Sequence, residues 1–237
     1  LRAADGYLNN DPNHRDKTFF CFDEKHGHRA GEATANGVLK LDREIAEAVK
    51  ADGAKAALGF GFLDSQQAFY DGYSLNASEG EWAKRRYLDP FTPVIARAEV
   101  RRARRDMNQA LLNRFNIAFD LNFHGSQLKD YPHIAEYGRR IKALRERYAA
   151  ELWNAEFVER QGAQVNGPDL SYSVFAGRNG KRAVVVVNMG TERASKAEVT
   201  LPGASAMAYA SPEDPAQKTF GGSVEIAPQS AVVIFEK

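Results

Sequence analysis

Residues 19–29 read FFCFDEKHGHR, an apolar run that stops in two acids, two histidines and a glycine. Asp23 and Glu24 follow the run directly, then His26 and His28, and Arg29 closes the stretch. Two carboxyl groups can divide acid and base work when a cleft keeps one protonated and the other ionised. Asp64, after the run GFGFL at 59–63, is the second carboxyl that such a pair needs. In that reading Asp23 is the nucleophile or electrostatic stabiliser and Asp64 the acid/base, while Glu24, His26, His28 and Arg29 line the substrate. Against it stands the plain alternative that these acids cap helices or hold loops. A third reading makes His26, His28 and Asp23 ligands of a metal in a hydrolase. Gly27 works against that one, because a turn breaks the alternation that would aim both imidazoles the same way.

Positioning these groups requires strands that end together. The apolar run at 18–22 predicts a buried strand. Val38, Leu41, Ile45 and Val49 predict one face of an amphipathic helix, stopped at Gly53 by a left-handed turn. Further strands are expected over 55–62, 92–96 and 115–123, and a final helix over 132–157 with Ile134, Tyr137, Ile141, Leu144, Tyr148 and Leu152 inside. Strand alternating with helix implies βαβ units on a parallel sheet, here about half of a (β/α)8 barrel or a small open sheet. Ligands meet such sheets at the C-terminal ends of the strands. That rule gathers Asp23, Glu24, Asp64, Asp120 and His124 on one rim, with Arg97 as a cleft cation. Tyr70 and Tyr73 could pack on a substrate ring or belong to the core, and Phe69 reads as core.

From about residue 163 the pattern changes. Two β runs flank Asn179-Gly180, a strong hairpin signal because turn residues there must accept positive φ. Runs at 196–203, 205–211, 222–228 and 230–237 recur with Gly, Pro or Ser between them, which predicts an antiparallel β-sandwich of about 75 residues. The fold class expected is therefore α/β plus all-β: a partial TIM-barrel region over 1–160 and a small β-sandwich over 161–237.

The stretch Cys21-Phe22-Asp23-Glu24-Lys25-His26-Gly27-His28-Arg29-Ala30-Gly31 resembles a motif of bacterial glycoside hydrolases related in plan to the α-galactosidase-like clan. The DGY at 71–73, the run RRDMNQALLNRFNIAFDLNFHG at 104–125 and LWNAEF at 152–157 fit the same plan. The resemblance implies a barrel glycosidase with a C-terminal sandwich, a carbohydrate substrate and no organic cofactor or metal. It also implies that the first half of the barrel lies in another segment or chain. Where such relatives tend to carry a carboxylate after the first Gly of GxG, this chain has Phe60. Either Asp64 supplies the acid, or the protein is a non-hydrolytic, carbohydrate-binding descendant.

Composition narrows the partners. With 32 basic and 31 acidic residues the formal net charge is +1, so no global field favours nucleic acid or an acidic membrane. RRARR at 101–105 lacks interleaved aromatics and reads as a loop or helix start. The longest apolar run, AVVVV at 183–187, is too short to span a bilayer. A single cysteine excludes an internal disulfide and a cysteine zinc site. The chain opens at Leu1 without a signal-peptide pattern, which is expected of a processed or truncated start. Cytoplasmic and exported locations both stay open.

Overall fold

The structure, a computed structural model, describes residues 6–9, 21–23, 25, 27–30, 33–53, 56–59, 69–75, 84, 86–87, 90–120 and 127–237. Two compact units can be drawn, one of residues 1–76 with 92–95 and the other of 77–91 with 96–237.

The first unit holds strands β1 (Gly6–Asn9), β2 (Ala56–Gly59) and β3 (Gly72–Leu75), the start of β4 (Val94–Glu99), and helix α1 (Ala33–Ala51). β1 and β2 run parallel, with Gly6 opposite Ala56, and β2 and β3 run parallel, with Leu58 opposite Gly72. Because α1 lies between β1 and β2 in sequence, this is a βαβ crossover. Gly53 ends the helix at φ +88° with its N–H on the Lys50 carbonyl at 3.0 Å, as its permissive backbone predicts. The helix face differs from the expected one. Leu41 is 47% exposed, whereas Asp42 and Ala46 are buried and Val49 packs beside them. A polar residue sits inside because it has a partner: the Tyr70 hydroxyl donates to Asp42 Oδ1 at 2.8 Å. The expected strand at 18–22 is not found at its described end. Cys21 and Phe22 are irregular and Phe22 is 71% exposed, while residues 18–20 lie outside the described residues.

The second unit continues β4, passes a 3-10 turn at Val100–Arg102 into α2 (Ala103–Asn113), then β5 (Asn116–Asp120) and α3 (Pro132–Arg147). Buried arginines close the C-terminal end of α2, where unpaired carbonyls attract cations. Arg86 donates to the carbonyls of Asn113, Arg114 and Pro90, each at 3.0 Å, and Arg114, itself at φ 55°, donates to those of Pro90 and Ala155. All six residues expected on the inner side of the last helix are buried. The helix stops at Arg147 rather than Phe157, and turns carry the chain to β6 (Glu156–Phe157).

Eight more strands follow: β7 (Gln164–Asn166), β8 (Leu170–Ala176), β9 (Arg182–Asn188), β10 (Ser195–Thr200), β11 (Met207–Ala210), β12 (Lys218–Thr219), β13 (Ser223–Ile226) and β14 (Ala231–Glu236). They form antiparallel sheets ordered β13-β10-β7 and β12-β11-β14-β9-β8-β6. The expected hairpin is β8–β9, but its loop is wider than two residues. Gly180 alone takes positive φ, at +77°, and the Gly177 N–H closes on the Lys181 carbonyl at 2.8 Å. Val174, Val184, Val186, Ala197, Val199 and Ile226 share one cluster between the two sheets. On the other face of the larger sheet, Val185, Val187, Val233 and Phe235 pack with Met107 and Leu111 of α2 and Ile141 and Leu144 of α3. β9 is thus covered on both faces, which explains a continuous run of valines in an antiparallel strand.

Candidate functional site

Within the first unit, Asp23 is exposed and lies in an irregular segment. Its Oδ1 accepts the Lys25 N–H at 2.9 Å, an Asx-turn bond that holds the loop and leaves the carboxylate at the surface. His28 is half-buried, and its Nδ1 stands 2.8 Å from the Arg29 carbonyl. A carbonyl only accepts, so Nδ1 is the donor in this contact. Arg29 is exposed. Tyr70 is 7% exposed, with Phe69 beside it and its hydroxyl on Asp42, so it takes the core side of the two readings open to it. Tyr73 belongs to β3, a strand the sequence reading did not anticipate. Glu24, His26, Phe60 and Asp64 lie outside the described residues, as does the Asp23–Asp64 separation.

In the second unit Arg97 lies on β4, whose burial alternates strictly. Val94, Ala96 and Ala98 are buried, while Ile95, Arg97 and Glu99 form the half-buried face. Asp120 is the last residue of β5, at the strand end where ligands are expected, and His124 lies outside the described residues. Two of the four arginines of RRARR, Arg102 and Arg104, are taken up by the protein itself. Arg102 pairs with Glu99 at 3.0 Å and Asp106 at 3.2 Å. Arg104 pairs with Glu213, donates to the Gln229 carbonyl at 2.7 Å and lies 3.9 Å from the Tyr137 ring centre. Burial raises the pKa of Asp106, against the Glu99 N–H and Arg102, which favour its ionised form. Among the described residues no group of three or more His, Cys, Asp or Glu is placed to hold a metal, and no helix is long and apolar enough to cross a membrane.

One feature escaped the sequence reading. A groove of about 500 Å³ lies beside β5 and α3, walled by Ile117, Phe119, Leu128 and Trp153. Arg145 lines it, buried, with one donor on the Ala110 carbonyl at 2.7 Å and its guanidinium 5.1 Å from the Trp153 ring centre. Burial and then the like charge of Arg86 pull its pKa down to about 9. The only signal in sequence was an arginine next to the inner stripe residue Leu144.

Solved glycoside hydrolases share this fold. The GH27 β-L-arabinopyranosidase of Geobacillus stearothermophilus matches at a TM-score of 0.53 and 12% identity, over 85% of this chain and 54% of that one. A variant of that enzyme in complex with arabinose matches at 0.53 and 13%, over the same shares. The catalytic domain of GH30 xylanase C from Talaromyces cellulolyticus is a looser likeness, at 0.40 and 12%, over 84% of this chain and 56% of that one. The chain therefore spans about half the length of the structures it resembles. No protein-family model matches the sequence, and no curated protein matches it. At such identities the likeness is one of fold: the chain has a glycoside-hydrolase-like fold, without a particular family being singled out.

Proposed function

We propose that this chain is part of a glycoside hydrolase, with residues 1–160 as the C-terminal half of a (β/α)8 barrel and 161–237 as a structural β-sandwich. The fold likeness to the arabinopyranosidase over 85% of the chain carries the reading. That likeness and the carbohydrate complex of its variant make a glycosidic bond the substrate to test first. Asp23 is the proposed nucleophile or charge stabiliser and Asp64 the proposed acid/base, with Glu24, His26, His28, Arg29 and Tyr73 lining the sugar. Tyr70 would support the cleft from the core, through Asp42. An exposed carboxylate in a loop is consistent with Asp23 meeting a substrate.

Asp23→Asn discriminates between chemistry and scaffolding. Asn keeps the oxygen that accepts from Lys25, so the turn survives and the melting temperature is unchanged. If the carboxylate is the nucleophile, hydrolysis across a panel of aryl glycosides, β-L-arabinopyranoside and α-galactoside included, falls about 10³-fold or more. Full activity in the variant would remove Asp23 from the mechanism.

A further inference from the structure

Ala135, Gly138, Lys142, Arg145 and Ala149 follow one another along α3 and its exit at intervals of three or four residues, and all line the groove. The face is small and close-packed: a Cβ on Gly138 would stand 2.8 Å from the Phe119 ring. β5, the other wall, stands last in its strand order among the described residues, so its outer edge offers backbone groups for pairing. Lys142 already pairs with Glu146 at 2.7 Å. Arg145 is different. It is buried, its one hydrogen bond is to a carbonyl, and no carboxylate pairs with it among the described residues. A buried cation without an anion is costly, and a groove that leaves one at its wall invites an anion from its occupant.

We propose that this groove seats a strand-and-helix segment of the same protein, lying outside these 237 residues and carrying a carboxylate that pairs with Arg145. The proposal rests on the half-barrel reading above, not on its catalytic residues. Shape favours a polypeptide over a small anion. From Ala135 to Glu146 the lining runs about 17 Å along α3, at ~1.5 Å per residue, the reach of three helical turns. The chain spans 54% of the arabinopyranosidase, so the fold has room for such a segment.

The test compares the 237-residue chain with the product of the complete reading frame, each carrying Cys21→Ser and Ala135→Cys. The introduced thiol should react with a maleimide about tenfold or more slowly in the complete product, where the segment covers it. Arg145→Met should lower the melting temperature of the complete product, where it breaks a buried pair, and leave that of the 237-residue chain unchanged or higher. Equal thiol reactivity in both proteins overturns the proposal, as does a reading frame with nothing beyond these residues. Protection in the short chain that grows with its concentration would instead assign the groove to a second copy. Protection there by indole-3-acetate would assign it to a small aromatic anion. Loss of glycoside hydrolysis alone would sink the enzymatic reading and leave the thiol protection untouched.

Discussion

Val184 and Val185 are neighbours on β9 and point to opposite faces of the larger sheet. Val184 belongs to the cluster shared with the smaller sheet, Val185 to the cluster shared with α2 and α3, and neither has any exposed surface. In a sheet with one wet face, truncating one of two successive residues is nearly silent. Here both should cost. Val→Ala removes two methyl groups, worth ~1.6 kcal/mol at about 0.8 kcal/mol per buried carbon, and the cavity term raises this to roughly 2–3 kcal/mol. For a chain of this size the melting temperature should fall by about 4–12 °C in each variant. Lys196→Ala, at an exposed position of β10, serves as the control and should stay within about 0.5 kcal/mol. Urea unfolding followed by circular dichroism gives each value. If either variant matches the control, β9 is not covered on both faces: a silent Val184→Ala would refute the packing of the smaller sheet on it, and a silent Val185→Ala that of the helices.

Two further outcomes follow from buried polar groups. Tyr137→Phe removes the hydroxyl that donates to Asn108 Oδ1 at 2.5 Å and leaves a buried acceptor unpaired, so it should destabilise by about 1–3 kcal/mol in the same unfolding assay. A change below about 0.5 kcal/mol would mean that the bond contributes nothing. For Asp106 the folded pKa is raised, so the folded state holds its proton longer than the unfolded chain. Its contribution to stability therefore declines as pH rises from the unfolded value of about 3.9 through the folded one, then levels off. Asp106→Asn should remove that decline, and urea titrations across this pH range measure it. A wild-type advantage that grows with pH would show instead that Arg102 outweighs burial.

Periodic elements were legible from residues alone. Ile134, Tyr137, Ile141 and Leu144 recur at helical spacing, and all are buried in α3. The C-terminal strands and the hairpin at Gly180 followed from β-rich runs separated by turn residues. Short parallel strands were harder. β1 and β3 are four residues each, without alternation, and exist because β2 lies beside them. Of the candidate site, the sequence supplied the acids and histidines of the 23–28 stretch but not their neighbourhood. Nor did it reveal that Tyr70 is spent on Asp42.

What the sequence determined by itself was the set of faces each element could bury, because amphipathic period and turn chemistry act within a few residues. Which face was buried, and by what, belonged to the tertiary structure. α1 turned Asp42 inward, not Leu41, since a tyrosine 28 residues away supplied a donor. β9 became a two-sided core strand because helices and a second sheet both met it. Within RRARR, which reads as a loop or helix start, Arg104 was taken up by Glu213 and the Gln229 carbonyl, the latter 125 residues distant. Burial and charge pairing are contacts between distant parts of the chain, and no local pattern encodes the partner.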